Sequence, residues 1–133
     1  MQNEQLTERI IGCAFQVHNA LGQGFVEKVY ENALRIELSK QGLDVRQQEP
    51  IIVHYDGQVV GEFLADLWVE DCVIIELKAV RSLDKVHEVQ LVNYLTATGI
   101  DTGLLLNFGP SVQVKRKFRQ YRQKNPVNPV NPV

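Results

Sequence analysis

Ala65-Asp66-Leu67-Trp68-Val69-Glu70-Asp71-Cys72-Val73-Ile74-Ile75-Glu76-Leu77-Lys78 is two apolar runs of strand character joined across Glu70-Asp71. The first run extends back to Val59 and the second forward to Val80, giving two antiparallel strands. The run Val73 to Val80 is apolar on both faces except at Glu76 and Lys78, the pattern of a central strand. Residues two apart on a strand share a face, so Glu76 and Lys78 project together. If the turn centres on Asp71, Asp66 lies opposite Glu76, and opposed residues share a face. Two carboxylates and one ammonium then meet inside apolar sequence. Such a pair of acids repel each other and raise a pKa unless a hard cation sits between them.

Working outward, Asp56-Gly57 is a hairpin signal, and Val45 to Gln48 with Ile51 to Tyr55 form the preceding strand, interrupted or bulged near Pro50. Before residue 43 the period is helical. Ile10, Ala14, Val17, His18 and Leu21 make one stripe, and Leu21-Gly22-Gln23-Gly24 stops and restarts the chain. A second helix runs from about Phe25 to Lys40, with Val26, Val29, Ala33 and Ile36 or Leu38 towards the core, and Gly42 ends it. After residue 80, Asp84 or Ser82 caps a third helix that closes at Gly99. Thr102 to Phe108 is a short buried strand and Val112 to Phe118 an edge strand. The order α-α-β-β-β-α-β-β is that of an α/β fold, a mixed sheet flanked by helices.

The chain of 133 residues, 44% apolar and 23% charged, suits one soluble domain over residues 1–124. Residues 125–133 are three copies of Asn-Pro-Val, and proline at every third position blocks helix and ladder. That tail is expected to be disordered or extended. No secretory signal or membrane-length apolar run is visible, and two separate cysteines suit a reducing cytosol, so a cytoplasmic location is expected. Residues 1–114 carry 8 basic and 16 acidic side chains, whereas residues 115–124 carry 6 basic and none acidic. The acidic body argues against a surface coated for nucleic acid. Lys115, Arg116 and Lys117, with Phe118 and Tyr121 interleaved, suit either a phosphate backbone or a solvated strand end.

With these residues in place, Gly22 to Lys115 resembles the GxxExxY proteins, a branch of the PD-(D/E)xK nuclease superfamily. The naming motif stands as Gly24-Phe25-Val26-Glu27-Lys28-Val29-Tyr30 and the superfamily signature as Ala65-Asp66 followed by Glu76-Leu77-Lys78. A helix motif stands as Gln90-Leu91-Val92-Asn93-Tyr94, and Ala65 takes the place of the signature proline. The resemblance implies a restriction-endonuclease-like fold and Mg²⁺ or Mn²⁺ held by Asp66, Glu76 and Glu27, with the Leu77 carbonyl as a possible further ligand. It implies Lys78 as the residue that activates water or stabilises the transition state. Gln90 and Tyr94, with His87 on the same stripe, and Tyr30 beside Glu27, would approach nucleic acid, DNA before RNA.

Each residue also has a plainer reading. Glu-x-Lys on a strand is commonly a surface ion pair, Glu27 a solvated helix glutamate, and Tyr94 a ring packed on the sheet. His18 reads as a hydrogen-bonded core histidine, with metal ligation as the alternative. No zinc spacing, glycine-rich phosphate loop or nucleophile–base pair is present. The expected function is metal-dependent hydrolysis of nucleic-acid phosphodiesters. A non-catalytic binding or assembly module on the same fold is the alternative, and a regulatory protein a third reading. A homodimer or a protein partner would help so acidic a domain to grip its substrate.

Overall fold

The computed structural model describes residues 3–120, so the Asn-Pro-Val tail lies outside the described residues. Two helices open the chain, α1 (Glu4–Leu21) and α2 (Glu27–Lys40). Three strands follow, β1 (Val45–Tyr55), β2 (Gln58–Val69) and β3 (Val73–Lys78). Helix α3 (Lys85–Thr98) then leads to β4 (Thr102–Phe108) and β5 (Val112–Phe118). The five strands lie in the order β1-β2-β3-β4-β5, antiparallel throughout except for the parallel pair β3 and β4 that α3 connects.

The sheet separates two apolar layers. Beneath α1 and α2, Ile10, Ala14, Val17, Tyr30, Leu34 and Leu38 pack on Leu67, Val69, Val73, Ile75, Leu77, Leu104 and Leu106. Beneath α3, Leu91, Tyr94 and Leu95 pack on Ile51, Ala65, Ile74 and Leu105. Strand β4 is buried along its whole length, as the covered interior of a two-sided sheet requires. Pro50 is tolerated because β1 is an edge strand.

One expectation needs correction. Helix α2 begins at Glu27 rather than Phe25, and its core face is Tyr30, Leu34 and Leu38, while Val26 and Ile36 are exposed. The helix carries two apolar stripes, and the one bearing the aromatic ring wins because Tyr30 stacks on Phe108 at 4.8 Å. The main irregularity in β1 falls two residues before Pro50. Gln48 takes a left-handed φ of 54°, the ladder passes over the Gln48–Asp66 position, and a register shift follows between Val53 and His54.

The ends of α3 follow from its sequence. The Asp84 side chain accepts from the Val86 N–H, and the His87 ring accepts from the Asp84 N–H, closing a capping box. Gly99, at φ 75°, ends the helix. Beyond β3 the chain is fastened by Asn107, fully buried, whose amide accepts from the Val80 N–H and donates to the Val80 carbonyl, both at 2.9 Å. Gly109 packs so closely there that a Cβ would lie 2.4 Å from the Val80 oxygen. The trajectory leaving Lys78 is thus held by backbone and carboxamide together.

Candidate active site

Asp66 and Glu76 sit where β2 and β3 part. The ladder pairs Leu67 with Ile75, Trp68 with Ile74 and Val69 with Val73, and continuing this register sets Asp66 against Glu76. There the side chains take over from the backbone. The Asp66 N–H donates to Glu76 Oε2 at 3.0 Å, and the Leu77 N–H donates to Asp66 Oδ2 at 2.8 Å. The two carboxylates are therefore held by amides of the opposite strand, which orients them without neutralising them.

Strict alternation along β2 breaks at this point. Leu67 and Val69 belong to the layer under α1 and α2, but Ala65 belongs to the layer under α3. Asp66 lies in the twist between them, opposite the left-handed Gln48. Gln48 swings its amide over the corner and donates both to Asp66 Oδ1 (3.3 Å) and to Glu31 Oε2 (2.9 Å).

The helix supplies the remaining acids. Glu27 opens α2, where the helix N-terminus favours an anion, and Glu31 follows one turn later on the same face. Ligand oxygens of Glu27, Glu31 and Asp66 lie within 4.8 Å of one another. Glu31 is only 1% exposed, and its Oε2 takes hydrogen bonds from Lys28 (3.0 Å), Gln47 (2.6 Å) and Gln48. Three donors on one oxygen make a buried anion tenable. The gathered triad thus includes Glu31 and leaves out Glu76, which is tied to the backbone of Asp66. The sequence places Glu31 on the helix face of Glu27 and Tyr30 without marking it as a site residue, and it marks neither Gln47 nor Gln48. The four-residue spacing from Glu27 was the one available signal for Glu31, and nothing in the sequence marks the backbone of Gln48.

These carboxylates shift one another's titration. Burial, then the charge of Asp66, pushes the Glu76 carboxyl up to about 8. Burial also raises Asp66, with Glu31 adding to it, and burial followed by Asp66 raises Glu27. Lys78 works against all three shifts and forms no ion pair among the described residues. Several hard oxygens, crowded and under-compensated beside one ammonium, are a donor set that suits Mg²⁺ or Mn²⁺.

The other expected residues separate into groups. Tyr94 is close enough for the charges of Glu76 and Asp66 to raise its phenol, after burial as the main cause, and Gln90 donates to its oxygen at 2.9 Å. His87 is engaged in the cap of α3. Lys115, Arg116 and Lys117 lie on β5, two strands from β3, roughly 10 Å away in the sheet plane. Lys117 there pairs with Glu88 at 3.0 Å, and the structure does not bring these cations to the carboxylates. Tyr30 needs correction as a substrate residue. It has no exposed surface, its hydroxyl donates to the Gly22 carbonyl at 2.5 Å, and it accepts from the Phe25 N–H at 3.3 Å. Tyr30 therefore folds the Gly22–Phe25 turn that delivers Glu27. Tyr30→Phe is expected to cost about 1–3 kcal/mol in urea unfolding, because a partly buried carbonyl loses its donor. His18, half-buried, lies 2.8 Å by Nε2 from the Gly109 carbonyl and stacks near Tyr30 and Phe108, as a core histidine does.

A family model described as the PD-(D/E)XK nuclease superfamily matches residues 4–120. The chain belongs to that superfamily. Its nucleases generally use divalent metals, in keeping with the acidic cluster found here. No curated protein matches the chain. Among solved structures, the crystal structure of SSO0001 is similar, with a TM-score of 0.58 and 16% identity over 91% of this chain. The match covers 62% of that protein, so this PD-(D/E)XK chain spans less than two thirds of its length. At such identity the likeness is one of fold, a mixed sheet between helices of the restriction-endonuclease-like kind. No helix among the described residues is long and apolar enough to cross a membrane.

Proposed function

We propose that the chain is a metal-dependent nuclease that hydrolyses phosphodiester bonds of nucleic acid, in the GxxExxY branch of its superfamily. The observation that carries this reading is the meeting of Glu27, Glu31 and Asp66 within 4.8 Å, beside Glu76 and the ammonium of Lys78. Glu27, Glu31 and Asp66 would hold Mg²⁺ or Mn²⁺, with Glu76 bonded to the Asp66 backbone beside them. A divalent ion so held supplies positive charge to the phosphate and acidifies water.

The chain's own residues do the rest. Glu76 Oε2, fixed by the Asp66 N–H, holds Asp66 at the mouth of the corner. Gln48 keeps Glu31 and Asp66 at a set separation. Lys78, on the strand that Asn107 fastens, presents Nζ to counter charge on the phosphate or to relay the proton of the attacking water.

The test is cleavage of labelled single- and double-stranded DNA and RNA with Mg²⁺, Mn²⁺ or chelator. Cutting that requires the cation is expected. A folded protein that neither cuts nor gives a heat of cation binding in calorimetry would instead be a non-catalytic module on the nuclease fold.

A further inference from the structure

A groove of about 840 Å³ runs between α3 and the β1–β2 hairpin. Its volume lies within the roughly 300–1,000 Å³ of ligand clefts. Ile52 and Phe63 form one wall, Val86 and Val89 the other, and Tyr94 its inner end. Tyr94 is the residue whose phenol feels the charges of Glu76 and Asp66, so this end of the groove lies towards the carboxylate corner. Phe63 and Tyr94 face each other at 5.5 Å with their rings tilted by 42°. Phe63, Val86 and Val89 are 43%, 60% and 53% exposed, an apolar surface that folding leaves uncovered.

The charge of the surroundings narrows the occupant. No Lys, Arg, Asp or Glu lines the groove among the described residues. Lys28, Lys40, Arg46, Lys117 and Arg119 are tied to carboxylates elsewhere. A duplex presents phosphates and hides its bases, so it would find little here to bind. A strand with unpaired bases gains from apolar walls and aromatic rings, since every base has a face that stacks. Gln90 and His54 add polar groups able to meet base edges.

Resting on the nuclease reading above, we infer that this groove takes unpaired bases of a single-stranded nucleic acid, leaving its phosphates outward and one of them at the carboxylate corner. Recognition is by stacking on Phe63, which the buried Tyr94 ring backs, more than by charge. Binding therefore weakens only shallowly with added salt, unlike that of a protein that tracks phosphates.

The experiment reads fluorescence anisotropy of the full chain, in chelator so that nothing is cut. The probes are a labelled oligothymidylate, a duplex of equal length, and a strand of equal length lacking its bases. Oligothymidylate is expected to bind about tenfold more tightly than either of the others, and Phe63→Ala to lose about that factor. Phe63 is half exposed, so its truncation spares the core. Equal binding of the baseless strand, tighter binding of the duplex, or an unaffected Phe63→Ala would each overturn the groove assignment. Self-association in sedimentation that Val89→Glu abolishes would overturn it too, giving the groove to a second copy. Failure of the nuclease reading is distinguishable: single strands would then bind through Phe63 and stay intact with Mg²⁺ or Mn²⁺. Conversely, single strands cut with Mg²⁺ or Mn²⁺ equally well by wild type and Phe63→Ala keep the nuclease and remove the groove.

Discussion

Asp66→Asn is expected to lose on the order of 100-fold or more in metal-dependent cleavage, the ordinary cost of removing one charge-stabilising group from an active site. The same variant is expected to fold normally. Its carboxamide would keep an oxygen for the Leu77 N–H that Asp66 Oδ2 now accepts, and Gln48 keeps its shorter bond to Glu31. The charge is lost and the shape is kept. Lys78→Ala should cost about 10²–10⁴-fold with cation binding retained, because it removes a proton-handling group rather than a ligand. Rates on labelled oligonucleotides, with circular dichroism as the control for folding, decide both. A folded Asp66→Asn protein cutting at the wild-type rate would move the site elsewhere.

The second large effect concerns stability. Glu76 holds its proton up to about 8 in the folded chain, against an ordinary 4.5. Between these values the folded state binds more protons than the unfolded one, so stability falls as pH rises through the window. Asp66 and Glu27, also raised, add to the slope in the same direction. Glutamine cannot ionise, and its oxygen still accepts the Asp66 N–H. Glu76→Gln should therefore stabilise the metal-free protein near pH 8 by about 0.5–2 kcal/mol and flatten its pH dependence. Cation affinity should fall in exchange, since the corner loses charge. Thermal melts in chelator from about pH 5 to about pH 8, with calorimetric titration of Mg²⁺, measure both arms. A wild-type stability that does not fall across that range relative to Glu76→Gln would contradict a protonated Glu76.

Much of this corner was legible because a hairpin is arithmetic. Once Glu70-Asp71 is the turn, counting back five from residue 71 gives Asp66 and counting forward five gives Glu76. The helical elements, the parallel step through α3 and the edge position of β5 also follow from apolar periods and caps. What resisted reading has a physical reason in each case. Helix α2 has two apolar stripes, and only the presence of Phe108 across the core selects Tyr30 over Val26. Gln48 adopts a backbone state that no side chain advertises, and the break of alternation at Asp66 follows it. Glu31 is a buried acid whose three donors include two from a strand distant in sequence, so propensity alone assigns it to solvent. The basic stretch, open to two readings in sequence, has two of its described charges paired. Its charges are conspicuous in sequence, yet Lys117 is spent on Glu88 and Arg119 on Asp101.

The parallel pairing of β3 with β4 bears on how the chain is made. A ribosome delivers residues in order, and by residue 78 it has released every acid of the corner together with Lys78. Strand β3 at that moment has β2 on one edge and nothing on the other, because β4 is Thr102–Phe108 and lies beyond α3. The Asn107 clamp on Val80 arrives later still than most of β4. Domains settle as units once their long-range partners exist. A nascent chain therefore carries every acid of the corner before the strands that frame them exist, and the corner gains a rigid frame only once β4 and β5 have docked.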